Sequence, residues 1–245
     1  MIILNKFYRR GYAGEEIIAE RTLENGIWTT VTEHVPNNVT NNQISNRALV
    51  IGNGHGRDKF DTKLVINHKS GLLGADTLQT YACNAFYRDA TPDFLVVTDR
   101  RIAEEIANRR VSEDLIIYTR VDITLEFPRK FYLIPHDFYA DAGATALYLA
   151  AFDGHKRVYM LGFDGQDTPN YNNNIYAGTA GYDPLRTNIS EDKWVEARAL
   201  VINTYNDVDF VLVSETGRMK LPEKMKYCTN LRQINFRDFV LEADL

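Results

Sequence analysis

From Arg47 onward the chain repeats one pattern: an apolar run of four to six residues, a polar or glycine-containing break, then a helical segment. The runs are Arg47–Ile51, Leu78–Cys83, Phe94–Thr98, Leu115–Thr119, Phe131–Ile134, Val158–Gly162 and Phe210–Val213. Between them, Arg101–Arg109 places Ile102, Ala103 and Ile106 on one helical face. Asp141–Phe152 is apolar nearly all round, as a buried helix must be. Glu191–Tyr205 reads as an amphipathic helix. Short strands without alternation, separated by helices, predict an α/β fold: a mostly parallel, Rossmann-like sheet with helices on both faces.

Ahead of this body, residues 1–45 read as a short N-terminal extension packed on the main domain, which spans 46–245. The extension is expected to hold a short strand, a helix around Glu15–Leu23 and a strand at Ile27–Thr32, and it is too short to fold alone. The stretch Pro36–Asn46, with five Asn, reads as the loop that joins the two parts.

The 245 residues carry a net charge of −5, and 44% are hydrophobic. That composition excludes wholesale disorder and a basic nucleic-acid coat, though not a local basic cleft. Cys83 and Cys228 form no Cys-x-x-Cys motif and read as two reduced thiols. No apolar run reaches the ~20 residues of a membrane span, and the N-terminus lacks the charge order of a secretory signal. The expected location is the cytoplasm.

In a parallel sheet, ligands bind beyond the carboxyl ends of the strands. The first run ends in Gly52-Asn53-Gly54-His55-Gly56, a turn whose bare N–H groups suit a phosphate. It fails as a dinucleotide fingerprint, because Arg57 stands where the last glycine belongs and the second run ends in Cys83-Asn84 instead of an acid. A nicotinamide or flavin enzyme is therefore disfavoured. Asn84 can donate to and accept from a base or ribose. Asp99, after the third run, suits ribose hydroxyls or the N-cap of the following helix. The helix start Asp141-Ala142-Gly143-Ala144-Thr145 offers amide donors to an anion, although an Asp N-cap would occupy some of them.

Asp164 ends the Val158–Gly162 run and is the carboxylate most expected to line a site. His136, beyond Phe131–Ile134, is a second candidate base, and Asp141 a third. His34, His68 and His155 read as surface residues. The segment Gln166–Ser190 has the length and composition of a lid, with Tyr171, Tyr176 and Tyr182 able to reach a bound nucleotide. Asp207-Val208-Asp209 is the one Asp-x-Asp triplet, and it precedes a strand, so it reads as a turn and no metal ligand is assigned.

Taken in order, these pieces resemble the bacterial sialyltransferases of glycosyltransferase family forty-two and the sialyltransferase-like proteins related to them. The resemblance rests on Val50-Ile51-Gly52-Asn53-Gly54, Cys83-Asn84-Ala85-Phe86-Tyr87, Gly143 with its helix, and Val158-Tyr159-Met160-Leu161-Gly162-Phe163-Asp164. It covers about Arg47 to Tyr182. It implies a variant of the GT-A glycosyltransferase fold and transfer of sugar from a nucleotide-sugar co-substrate with no required cofactor. The sequence itself leaves a divalent metal open. By the same resemblance, Asn53 and Asn84 contact the nucleotide, Gly143 lies by the donor, and Tyr171 and Tyr176 neutralise the leaving phosphate. Gly52, Gly54, His55, Asp99, Ala144 and Thr145 complete the expected donor set.

The chain departs from that family at three places. His55-Gly56 replaces Pro-Ser, Ala142 replaces a small hydroxyl residue, and no His follows His155 to supply the family's base. The acceptor is read as a glycan hydroxyl or, alternatively, a hydroxymethylated DNA base. For DNA, Arg9-Arg10, Arg100-Arg101 and Arg109-Arg110 would form a basic rim. A non-catalytic nucleotide-binding module is the further alternative, and a homo-oligomer is compatible with each reading.

Overall fold

The computed structural model describes the backbone of residues 3–11, 14–24 and 27–33, and residues 42–67, 77–109, 111, 115–128, 130–164, 173–184 and 191–245. Tyr171, His34, His68, Arg110 and Asp167 lie outside the described residues.

The main body is one eight-stranded sheet. Its strands are β4 (Arg47–Ile51), β5 (Leu78–Cys83), β6 (Phe94–Val97), β7 (Ile116–Thr119), β8 (Tyr132–Leu133), β9 (Arg157–Leu161), β10 (Asp209–Ser214) and β11 (Leu231–Asn235). Their order is β11-β10-β9-β4-β5-β6-β7-β8, with every pairing parallel. Side chains alternate between the two faces with period two. Ala48, Val50, Tyr81, Cys83, Val158, Met160, Phe210 and Leu212 belong to one core cluster. Leu49, Ile51, Ala82, Tyr159, Leu161, Val211 and Val213 belong to the other. Burial on both faces is why these strands read as unbroken apolar runs. The fold is α/β and Rossmann-like.

The helices are α1 (Thr62–Asn67), α2 (Arg100–Arg109), α3 (Val121–Glu126), α4 (Ala142–Phe152), α5 (Glu191–Thr204) and α6 (Phe236–Glu242). All residues of α4 are buried, as its all-apolar composition requires. It packs across β4, β5 and β6 and carries the chain back to the centre of the sheet. The chain therefore starts at β4, steps outward to β8, and returns on the other side of β4 as β9. The β4–β9 junction is the topological switch point of the sheet.

Three expectations are corrected. Residues 15–23 are not a helix: they lie in β2 (Gly14–Glu24), the middle of an antiparallel sheet with β1 (Ile3–Gly11) and β3 (Ile27–Glu33). The β-branched Ile17, Ile18 and Thr22 favour a strand, and two paired neighbours outweigh the helix-forming glutamates. His155 is not on the surface but fully buried, its Nδ1 2.8 Å from the Ser45 carbonyl and its Nε2 3.0 Å from the Tyr81 hydroxyl. The stretch ending at Asn46 is not a free linker throughout. Asn42 is buried and donates to the Tyr118 hydroxyl at 3.1 Å, and Gln79 Oε1 accepts from the Ile44 amide at 2.7 Å.

β11 and α6 leave no clear pattern in the sequence. β11 is an edge strand whose residues are only partly buried, and Arg232 within it is paired with Asp209 and Glu242, so no apolar run marks it.

Candidate functional site

The turn after β4 is knitted to the end of β9. The Gly52 amide donates to the Leu161 carbonyl at 2.7 Å and the Gly54 amide to the Gly162 carbonyl at 3.0 Å. A Cβ on Gly52 would lie 2.4 Å from the Gly162 oxygen, and one on Gly54 2.6 Å from Asp164 Oδ1. One on Gly56 would lie 2.4 Å from the Asp164 carboxyl carbon. The glycines are thus required by the close approach of β9 and of the Asp164 carboxylate, and the phosphate cradle expected from the sequence is filled from within the chain.

Asp164 stands at the switch point, but its carboxylate is committed to the turn. Oδ2 accepts from the Gly56 amide at 2.7 Å and lies 3.5 Å from Asn173 Nδ2. Oδ1 is buried with no hydrogen-bond partner among the described residues. Asn53 Nδ2 donates to the Cys83 carbonyl at 3.4 Å, while its Oδ1 is buried and unpartnered among the described residues. Asn84 adopts a positive φ of 47°, which asparagine tolerates, and its Oδ1 accepts from the Thr98 and Asp99 amides at 3.1 and 3.4 Å. Asn84 therefore joins the ends of β5 and β6.

The N-cap reading of Asp99 holds: its Oδ1 accepts from the Arg101 amide at 2.9 Å. Asp141 likewise caps α4, with Oδ1 accepting from Gly143 and Ala144 at 2.9 and 3.1 Å. The Thr145 hydroxyl donates to the Asp141 carbonyl at 2.9 Å. The amide donors expected to meet an anion are occupied by this cap. What α4 presents is the second Asp141 oxygen, Oδ2, buried without a partner among the described residues. A Cβ on Gly143 would meet the Phe163 ring at 3.2 Å, so this glycine lets α4 close on β9. Burial, and next the Asp141 charge, push the Cys83 thiol up to about 12, which leaves it an inert thiol.

The segment 173–184 covers the turn. The Ile175 amide donates to the Asn53 carbonyl at 2.9 Å, and the His55 amide to Asn173 Oδ1 at 2.9 Å. Tyr176 is buried. Its hydroxyl donates to Asp89 Oδ2 at 2.5 Å and accepts from Arg57 at 2.8 Å. Arg57, only 4% exposed, also pairs with Asp89 at 3.0 Å and lies over the Phe86 ring. Burial is the largest influence on the Tyr176 phenol and raises its pKa. The Tyr176 hydroxyl is thereby occupied as a latch between the lid and the turn, not held ready for a leaving phosphate. The Tyr182 hydroxyl is buried beside it with no hydrogen-bond partner among the described residues.

His136 is not brought to this cluster. It is exposed beyond β8, stacked on Phe138 with the Tyr148 ring of α4 nearby. His55 is placed differently: its Nδ1 lies 2.8 Å from Asp58 Oδ2, and it lines a cleft of about 400 Å³. That cleft runs from the turn over β9 and β10 to α5 and the loop 219–225, and Phe163, Asp164, Asn173, Arg198 and Lys220 share its wall. Arg198 and Lys220 are the residues that sequence reasoning missed. Arg198 sits in an ordinary amphipathic helix and Lys220 in a loop, and only the folded chain brings them to the switch point.

The basic rim proposed for DNA is neutralised where its side chains are described. Arg100 pairs with Glu126 at 2.5 Å, Arg101 with Asp99 at 3.4 Å and Arg109 with Glu105 at 3.1 Å. Asp207 pairs with Lys156, and Asp209 with Arg157 and Arg232, so the Asp-x-Asp triplet is spent on ion pairs. Among the described residues no three His, Cys, Asp or Glu side chains converge as a metal set. No helix among them is long and apolar enough to cross a membrane.

No protein-family model and no curated protein matches the chain. Solved structures with a similar chain course include the monofunctional α-2,3-sialyltransferase Cst-I from Campylobacter jejuni. It is 15% identical, the match covers 84% of this chain and 98% of that one, and the TM-score is 0.43. Another is the sialyltransferase CstII from Campylobacter jejuni in complex with a substrate analogue, cytidine-5'-monophosphate, at 11% identity, 68% and 78% coverage and a TM-score of 0.39. A structure of CST-II in complex with CMP gives 11% identity, 80% and 97% coverage and a TM-score of 0.42.

Proposed function

We propose that the protein is a glycosyltransferase that moves a sugar from a nucleotide-sugar donor to an acceptor hydroxyl. The observation that carries this reading is the set of buried, unpartnered oxygens at the switch point: Asn53 Oδ1, Asp141 Oδ2 and Asp164 Oδ1. Each such atom costs about 1–3 kcal/mol unless something donates to it. Acceptors left open on the turn after β4, at the cap of α4 and after β9 suit a ligand rich in donors, as the hydroxyls and exocyclic amine of a nucleotide sugar are, better than a bare phosphate. The order of the Gly52–Gly54, Asn84, Gly143 and Asp164 motifs, which resembles family forty-two, supports the same class.

Transfer requires that the acceptor oxygen bond to the anomeric carbon, that the bond from that carbon to the nucleotide's phosphate oxygen break, and that the acceptor proton leave for a base. We assign the base to His55. Asp58 Oδ2 lies 2.8 Å from its Nδ1 and orients the ring, which lines the cleft. Asp164 supports the reaction by fixing the turn that carries His55. No metal or organic cofactor is assigned a step.

A thermal-shift series with CMP, UDP, GDP and NAD tests the reading, because a true ligand stabilises by mass action. One of the three mononucleotides is expected to raise the melting temperature with concentration, and NAD is not. The matching nucleotide sugar should then be hydrolysed slowly, with the rate lost in His55→Gln. Binding of a nucleotide with no turnover of any nucleotide sugar would leave a nucleotide-binding module. No response to any of the four would overturn both.

A further inference from the structure

We infer that the cleft beside His55 holds a negatively charged group of the acceptor, a phosphate or carboxylate, gripped by Arg198 and Lys220; this rests on the transferase reading above. The cleft lies over β9 and β10, and its lining contains neither Asn53 nor Asn84, which stand at the ends of β4 and β5. The cleft therefore sets Arg198 and Lys220 beside Asp164 and Asn173, apart from the carboxamides of Asn53 and Asn84.

Most described arginines of the main body are paired with carboxylates, and two lysines near the cleft are paired as well, Lys224 with Glu196 of α5 and Lys226 with Glu223. Arg198 and Lys220 make no ion pair among the described residues. The Arg198 guanidinium lies over the Phe163 ring, 5.1 Å from its centroid, and its Nε is buried without a hydrogen-bond partner among the described residues. The one carboxylate among the described lining residues, Asp164, makes no ion pair with either and accepts from the Gly56 amide through Oδ2. An arginine fixed on an aromatic face keeps its planar fork presented at low entropic cost, and such a fork matches an oxyanion. Lys220, exposed on the opposite loop, closes the pair. An anionic acceptor held there presents its hydroxyl along the same wall as His55.

Calorimetric titrations at fixed ionic strength test this with inorganic phosphate, glucuronate and glucose as probes. Phosphate or glucuronate should bind and glucose should not, the tighter of the two anions telling a phosphorylated acceptor from a sugar acid. Arg198→Gln and Lys220→Gln should each weaken that binding by about tenfold. Lys220→Gln, on an exposed loop, keeps the test readable if Arg198→Gln disturbs the packing on Phe163. Whichever of CMP, UDP and GDP binds the wild type should keep its affinity in both variants, and phosphate should still bind when that nucleotide is saturating. Competition between nucleotide and phosphate, with nucleotide affinity lost in the variants, would make the cleft the donor's phosphate site and overturn the inference while the transferase reading stands. Anion binding that the variants abolish, in a protein that binds no nucleotide, would support the cleft and remove the reading it was built on. No anion binding, or binding indifferent to both substitutions, would overturn the inference.

Discussion

Gly56 donates its amide to Asp164 Oδ2 at 2.7 Å, and a methyl group on Gly56 would lie 2.4 Å from the Asp164 carboxyl carbon. The two residues are fitted to one another, so the carboxylate is part of the turn's structure. Asp164→Asn retains an acceptor for the Gly56 amide and should keep the fold, while nucleotide affinity falls because an amide donor replaces the Oδ1 acceptor. Asp164→Ala leaves that amide without its partner and should lower unfolding free energy by about 1–3 kcal/mol in urea denaturation. A stable Asp164→Asn protein with no turnover would instead make Asp164 the base.

His55→Gln should lower kcat by about 10²–10⁴-fold, the range of a lost general base, while the nucleotide dissociation constant stays put. Asp58→Asn should give a smaller loss in kcat, because Asp58 orients the imidazole and does not act on the substrate. Wild-type turnover in Asp58→Asn would break the link between the two.

The Tyr176 hydroxyl ties the lid to Arg57 and Asp89. Tyr176→Phe removes that oxygen and keeps the ring, so the cost should be about 1 kcal/mol, that of a typical intramolecular hydrogen bond. Residues 173–184 should also detach from the turn more often, which limited proteolysis would register as faster cleavage within them. Cleavage at the wild-type rate would show that the latch does not hold the lid.

His155 makes stability depend on pH. Burial lowers its pKa from 6.5 to about 4, so the folded state keeps the ring neutral where the unfolded state takes up a proton. The unfolded chain then binds more protons between those two values, and stability must fall as the pH drops through that window. The full contribution is present above pH 6.5, and the loss by pH 4 is about 3 kcal/mol, at 1.36 kcal/mol per unit. Urea midpoints measured from pH 7 to pH 4 should show this slope, and His155→Gln should flatten it.

The sheet was legible because both faces of β4, β5, β6 and β9 are buried, which leaves an apolar signal that needs no neighbour to interpret. The strand-end residues could be named for the same reason, since the end of an apolar run is visible in sequence. Their partners could not. Asp164 reads as a carboxylate lining a site, and only the fold shows Gly56 against it; Asp141 reads as a cap that would take some of the α4 amides, and only the fold shows that they are those of Gly143 and Ala144. β2 was misread because Glu15, Glu16 and Glu20 favour a helix locally, whereas strand pairing on both sides decides the outcome. Arg198 and Lys220 carry no local pattern at all. Their relation to His55 exists only across α5, β9 and the loop before Met225.

The two strands that make the crevice, β4 and β9, are separated along the chain by β5 to β8 and by α1 to α4. Contacts between such distant segments form late and slowly, because the intervening chain must be ordered before they can close. A ribosome-bound chain that has not yet emitted β9 therefore lacks the strand that packs against the turn after β4. Any variant that slows the docking of Gly162 against Gly52 should cost yield of active protein even where the finished fold is unharmed.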